Sequence, residues 1–316
     1  MQTKILDALG DKSNSIASAL DWLMSGMPVV FPTETVYGLG AGIFDLNAVE
    51  KVFTIKGRDQ LNPLSAHISS VNDALMLCSD IKDEYYKLAE EFLPGPLSIV
   101  MKRKKEIPDL VTGGGDTISI RLPDNDIFKQ LSEKFGQPIA ATSANKSGKP
   151  SPVTALHAFE DLQGLVPVIL DAGRCRYQIE STVISLAGDE PVLIRPGAVS
   201  QKSISDVLGK EIKSLSRQIT IFNHQKSSLD NSKFKIICFD EFSEILDFCN
   251  SHRNNKIIVM SCSNYDKNIE NLIRTDEFTF FNDLREAEKS GVEFLLVEKD
   301  DYVMTSEVLR HRLKIS

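Results

Sequence analysis

Four side chains in two short segments are the first to suggest chemistry: Lys56 and Arg58 in KGRDQLNPLSAHI (56–68), and Ser143 and Asn145 in PIAATSANKSGKPSP (138–152). A lysine and an arginine two apart beside a glycine can clamp phosphates, the arginine as a planar fork and the lysine as a point charge. The same two cations ending a helix could simply complement its dipole. The second segment is a small-residue strand opening into a loop that can present Ser143, Asn145, Ser147 and Ser151, with backbone N–H groups, to an anion. A plain Ser/Gly surface turn has the same composition. In PTETVYGLGAGIFD (32–45), Gly38, Gly40 and Gly42 alternate, which permits close backbone approach to a ligand or a tight turn. Thr33, Glu34, Thr35 and Tyr37 supply hydrogen-bonding groups there, and the spacing is not that of a phosphate-binding P-loop. TISIRLP (117–123) places Arg121 in an apolar strand, where a buried guanidinium needs an anion, either a structural carboxylate or a substrate's. His67, alone in a strand, reads as a packing residue. IESTV and LIRPG add Ser181 and Arg195. Zinc-hydrolase, serine-hydrolase, dinucleotide-binding and kinase motifs are all missing. Cations and hydroxyls dominate over any nucleophile–base pair, which suits phosphoryl or nucleotidyl transfer.

The elements that must position these residues follow from periodicity. Helices are expected at 14–26, 47–55, 81–92, 125–135 and 154–160. Strands are expected at 28–31, 64–68, 97–101, 117–122, 139–141, 168–170, 182–186 and 192–194. Their irregular interleaving points to an α/β fold with a mixed sheet. Residues 211–232 are polar and aperiodic, a linker. Beyond it, strand and helix alternate through KFKIICF, EFSEILDFC, KIIVMS, a short strand FTFF, NDLREAEKSG, VEFLLVE and TSEVLRHRL. The expected division is a catalytic domain over 1–210, a linker over 211–232 and a small doubly wound domain over 233–316. The last has no glycine-rich phosphate loop and reads as structural or regulatory.

With 316 residues the chain can bury two cores. Its net charge of −8 disfavours a general grip on nucleic acid. The basic run Lys102–Lys105 reads as a solvated strand end. No apolar run approaches a membrane span and no signal peptide is visible, so a soluble protein is expected. Five widely spaced cysteines fit a reducing cytoplasm and argue against a disulfide framework or a structural zinc site.

Taken in order, PTETVYGLGA, KGRDQLNPLSAHI, PGPLSIV, TISIRLP, PIAATSANKSGKPSP, IESTVISL and LIRPGAV closely resemble the YrdC/Sua5 family of threonylcarbamoyl-AMP synthases, over about residues 15–200. The family's K-x-R and S-x-N signature falls on Lys56, Arg58, Ser143 and Asn145. The resemblance implies a YrdC-like twisted mixed sheet flanked by helices, with a small C-terminal Rossmann-like α/β domain of the longer Sua5-type members. It implies that L-threonine, bicarbonate and ATP, with Mg²⁺, give threonylcarbamoyl-AMP and pyrophosphate. The product then serves a threonylcarbamoyl transferase that modifies adenosine 37 of tRNA. By the same resemblance Lys56 and Arg58 are catalytic. Lys56, Arg58, Asn62, Thr117, Ser143, Asn145, Ser151 and Arg195 hold ATP, and Thr35, His67, Arg121 and Ser181 hold threonine. No residue is assigned to a resident metal, and contact with tRNA is expected to be weak. Ala172 and Gln178 stand where the family carries glycines. The tyrosine-rich linker motif of long members is echoed only by Phe222, His224 and Lys226. Two alternatives are a non-catalytic RNA- or ribosome-binding relative and a carbamoyl-transfer module of the hydrogenase-maturation type. The intact signature and acidic balance oppose the first; the lack of acylphosphatase-like and zinc segments opposes the second.

Overall fold

The structure, a computed structural model, describes residues 1–214, 235–252, 254–260, 272–273, 275–276 and 279–313. The expected linker therefore lies outside the described residues from 215 onward, together with Phe222, His224, Lys226 and Cys262. The chain divides into two compact units, Met1–Ser147 with Ser151–Gln225, and Gly148–Pro150 with Lys226–Ser316.

In the first unit the strands in chain order are β1 (Lys4–Asp7), β2 (Val29–Phe31), β3 (Gly38–Gly42), β4 (Ser65–His67), β5 (Leu97–Lys102) and β6 (Thr117–Arg121). They continue with β7 (Ile139–Ser143), β8 (Val168–Asp171), β9 (Thr182–Ser185), β10 (Val192–Arg195) and β11 (Lys213–Ser214). These form one twisted 11-stranded sheet in the order β1-β8-β2-β3-β7-β4-β6-β5-β9-β10-β11, with parallel and antiparallel pairs mixed. The mixed sheet follows from connection lengths, because β2 and β3 lie too close in sequence for a helical crossover.

Helices cover both faces. On one side α1 (Lys12–Met24) buries Ile16, Ala19 and Leu23 along a single stripe. It packs with the helix Asp126–Phe135, which buries Ile127, Phe128, Leu131 and Phe135. Asn125 caps that second helix by accepting from the Ile127 and Phe128 amides, and Gly136 closes it at φ 72°. On the other side α2 (Leu46–Lys56) buries Val49, Val52 and Phe53 in the larger core. Each such aliphatic or aromatic side chain contributes about 1.5–3 kcal/mol by burial. The Asp45 side chain caps the start of α2, and Gly57 at φ 61° ends it, leaving Lys56 on its last turn.

The second unit holds β12 (Lys235–Phe239), β13 (Ile257–Met260), β14 (Leu272–Ile273) and β15 (Phe294–Glu298) as a parallel sheet in the order β12-β15-β13-β14. Its core gathers Ile245, Val259 and Leu296.

Two sequence expectations are corrected. The alternating glycines are neither a turn nor a ligand cradle: they form β3. A Cβ on Gly38 would stand 2.6 Å from the Phe31 ring, and one on Gly40 would stand 2.6 Å from Ile139 Cγ2. A Cβ on Gly42 would stand 3.0 Å from the Phe135 ring. Their small size admits neighbouring apolar side chains to the sheet face. The FTFF strand is also absent, since Phe280 and Phe281 open a helix, Phe280–Lys289. Buried Phe280, Phe281, Leu284 and Ala287 trace a helical stripe that outweighs the strand preference of the two phenylalanines. Strand β1 and the helix Gln201–Leu208 were not anticipated.

Candidate active site

Residues paired across a sheet point to the same face, so the register lays the candidates out as a grid. One row runs Arg195–Val183–Ser98–Arg121–His67–Ile139 across β10, β9, β5, β6, β4 and β7. The next row holds Val100, Ser119, Ser65 and Ala141. Beyond it, Thr117 lies at the far end of β6 and Ser143 at the end of β7. Two rows span about 13 Å of strand. Under α1 and the helix Asp126–Phe135 this face is apolar, with Ile139 and Ala141 in that core. Past it, Ser65, Thr117, Ser119 and Ser143 are half-buried, a polar floor. Ser65 and Ser119, whose hydroxyls lie 3.1 Å apart, were not singled out from sequence. Strand alternation in SAH and TISIR was the signal available.

At one end of the floor Arg121 is buried, 5% exposed. Its Nη2 donates to Glu34 Oε1 at 3.1 Å and to the Thr35 hydroxyl. The anion that a buried guanidinium requires is thus supplied by the chain itself, at Glu34. Glu34 Oε2 in turn accepts from the Asp124 amide at 3.2 Å. Arg121 Nε has no hydrogen-bond partner among the described residues, and neither has Nδ1 of neighbouring His67. His67 sits edge-on to Phe31 and Phe128, with ring centroids at 5.7 and 5.6 Å. Burial, reinforced by Arg121, holds its imidazole well below the ordinary pKa, so it is neutral at pH 7. The packing reading of His67 is therefore met, while two buried nitrogens stay unmatched beside each other.

Ser181 adjoins this row. Its hydroxyl is 2.8 Å from that of buried Ser98, and its carbonyl accepts from Arg195 Nη2 at 2.7 Å. Gly197 lets the RPG turn press on this backbone, since a Cβ there would stand 2.4 Å from the Thr182 nitrogen. Arg195 therefore meets Ser181, whereas Thr117 stands at the opposite end of β6 from Arg121. Ser151 donates to Glu180 Oε1 at 2.8 Å, a partner missed from sequence.

At the other end Lys56 is 2% exposed, and its Nζ donates to the carbonyls of Ser143 and Asn145. Arg58 is half-buried. Its Nε donates to the Asn62 carbonyl at 3.2 Å and its Nη2 to the Pro63 carbonyl at 3.0 Å. Burial draws its pKa down to about 10, which leaves it charged at pH 7. Tyr37 ties the loops together. Its amide donates to the Pro152 carbonyl at 2.8 Å, its carbonyl accepts from the Ala144 amide at 2.8 Å, and its hydroxyl donates to the Gly173 carbonyl at 2.6 Å. Burial pushes this phenol well up, so it stays protonated. The basic run is local scaffolding: Arg103 pairs with Asp109, and Lys104 donates to the Leu75 carbonyl at 2.6 Å.

Both the sequence and the fold have counterparts among known proteins. The family model for Sua5/YciO/YrdC proteins, described as "Telomere recombination", matches residues 21–197, more than half of the chain. The chain belongs to the Sua5/YciO/YrdC family. A threonylcarbamoyl-AMP synthase of Pyrococcus abyssi is 45% identical over 195 residues, 62% of this chain and 57% of that protein. One of Bacillus subtilis is 40% identical over 206 residues, 65% of this chain and 60% of that protein. The aligned region thus spans less than two thirds of these curated relatives. A solved structure of Pyrococcus abyssi Sua5 complexed with L-threonine matches with a TM-score of 0.84 and 32% identity, covering 99% of this chain and 97% of that one. The Sua5-type architecture, a large mixed sheet plus a smaller α/β unit, is therefore shared by fold as well as by sequence.

Proposed function

We propose that this protein is an L-threonylcarbamoyladenylate synthase, joining L-threonine, bicarbonate and ATP and releasing pyrophosphate. One observation carries the reading: a single polar sheet floor runs from the buried Arg121 row to the Lys56/Arg58/Ser143/Asn145 cluster. On this reading the Arg121 row is the amino-acid end, and the Ser143 end, where Lys56 Nζ meets the loop carbonyls, is the phosphate end. The names of the curated relatives and the threonine held by the Pyrococcus abyssi structure support it.

In this proposal Arg121 binds the threonine carboxylate, with Thr35, His67 and Ser181 around it. Arg58, Asn62, Ser143, Asn145, Ser151, Thr117 and Arg195 contact the nucleotide, with Lys56 beneath the 143–147 loop. The threonine amine takes up carbon dioxide or bicarbonate to form a carbamate. A carbamate oxygen attacks the α-phosphorus, and the bond to the leaving pyrophosphate breaks. Arg58 offsets charge on that leaving group, so no side-chain nucleophile is needed. Among the described residues no three His, Cys, Asp or Glu side chains converge into a metal-binding group. Mg²⁺ belongs to the proposal as a counter-ion of the triphosphate, which would neutralise phosphate charge when bound, and no step is assigned to it.

The product would pass to a transferase acting on adenosine 37 of tRNA, in the cytoplasm; among the described residues no helix is long and apolar enough to cross a membrane. The proposed catalytic domain is 1–210, with a linker at 211–232 and a small α/β domain at 233–316. The test is pyrophosphate release measured with each substrate omitted in turn. Release that ignores threonine or bicarbonate would sink the proposal. Arg121→Ala should raise the KM for threonine at least about tenfold, the cost of losing one charge-assisted pair, with the KM for ATP little changed.

A further inference from the structure

The Lys56 ammonium is placed differently from the Arg58 guanidinium beside it. An ammonium carries three N–H donors. Around Lys56 Nζ stand three carbonyl oxygens, the Ser143 backbone oxygen, the Asn145 backbone oxygen at 2.5 Å and Asn145 Oδ1 at 3.3 Å. All three belong to the S-x-N loop. The loop answers in kind: the Ser147 amide donates to the Lys56 carbonyl at 2.9 Å, and Lys146 Nζ donates to the Ile55 carbonyl at 2.6 Å. Those two carbonyls lie on the last turn of α2, where a helix leaves its acceptors unmet. Helix end and loop therefore satisfy each other's open groups, with Lys56 at the centre and nearly removed from solvent. Arg58, by contrast, is half-buried and directs two of its five donors at the Asn62 and Pro63 backbone carbonyls.

We propose that Lys56 is a positioning residue: its ammonium holds the 143–147 loop in the shape that presents the Ser143 and Asn145 side chains, while Arg58 makes the phosphate contact. The inference rests on the nucleotide reading of this site and deepens it. It explains why two cations stand two residues apart at a helix end. One is an internal clamp and the other faces the ligand. A compact ammonium suits three converging carbonyls, whereas a planar guanidinium does not.

Lys56→Arg, Lys56→Met and the double variant Ser143→Ala/Asn145→Ala in the full chain test this. In nucleotide-free protein, hydrogen exchange at the Ser147 amide should quicken about tenfold or more in both Lys56 variants, because its acceptor sits on the loosened side of the clamp. In steady-state turnover of ATP, L-threonine and bicarbonate, Lys56→Arg should lose about as much kcat/KM as Lys56→Met. Either loss should shrink at least about tenfold when made in the Ser143→Ala/Asn145→Ala background, since groups acting through one network are not additive. A direct phosphate contact behaves in the opposite way: Lys56→Arg keeps its activity, the Ser147 amide is unmoved, and the losses add. Any of these three results overturns the proposal. If Lys56→Met fails to fold, Lys56→Arg supplies the same readings. Wild-type protein without threonine-dependent pyrophosphate release would sink the function proposed above, and the exchange measurement would then decide the clamp by itself.

Discussion

His67 is a neutral imidazole wedged between the rings of Phe31 and Phe128. Burial holds its folded pKa well below the ordinary imidazole value of about 6.5, so between the two the unfolded chain binds a proton that the folded chain refuses. Its contribution to stability is intact at neutral pH and is lost as pH falls below about 6.5, by up to about 1.4 kcal/mol per pH unit. Melting temperatures taken from about pH 7 down to pH 5 should therefore drop. His67→Gln should flatten that slope, and an unchanged slope would refute this account. Glu34 is the complementary case. Removing it as Glu34→Ala strands a guanidinium that is 5% exposed and should cost about 3–5 kcal/mol. Added L-threonine should then raise the melting temperature more in Glu34→Ala than in the wild type, because its carboxylate offers Arg121 a replacement anion. Equal shifts would mean that Arg121 does not meet that carboxylate.

At the scale of elements, backbone geometry makes its own demands. Gln178, at φ 56°, is the one non-glycine residue with positive φ among the described residues, and its side chain accepts from Arg174 Nη1 at 3.0 Å. The resemblance noted in the sequence leads one to expect glycine at this position. Gln178→Gly should relieve a left-handed conformation that costs about 1 kcal/mol or more and raise stability by a similar amount in urea titration. Strand β3 tolerates no such freedom in the other direction. Gly40→Ala would place a methyl 2.6 Å from Ile139 Cγ2 and 2.9 Å from the Ala140 carbonyl. It should lower stability by about 1–3 kcal/mol, as overpacking does. The sequence marked both positions, but neither the left-handed backbone of Gln178 nor the crowding at Gly40 was legible in it. The glycine alternation was visible, but its reason was a neighbouring strand and two phenylalanine rings rather than a ligand.

At the scale of the whole molecule, the two units each have a core of their own, large in the first and built on Ile245, Val259 and Leu296 in the second. Chains of this kind depart from two-state unfolding. The single tryptophan, Trp22, lies on α1 in the first unit. Urea unfolding followed by its fluorescence should therefore lag the far-UV circular dichroism, as the smaller core melts first. Coincident curves would rule this out. The net charge of −8 makes a further demand. At that charge tRNA should bind weakly at physiological salt in a gel-shift titration. Tight binding without turnover would favour the RNA-binding alternative.

Sequence alone determined most element types of the first unit and the chemistry available. Periodicity marked β4 to β10 and the principal helices of the first unit to within a few residues, because burial on one face leaves a repeat in the chain. The motifs named Lys56, Arg58, Arg121, Ser143 and Asn145 as candidates, because cations and small hydroxyls in apolar surroundings need a reason to be there. What those residues do to one another was decided only by tertiary structure. Register set Arg121 beside His67 and Ser98, and loop closure gave Lys56 to the carbonyls of Ser143 and Asn145. Glu34 became the partner of Arg121 across 87 residues of chain. A sequence records which groups must be satisfied, whereas which partner satisfies each depends on contacts between segments far apart, formed only as the sheet assembles.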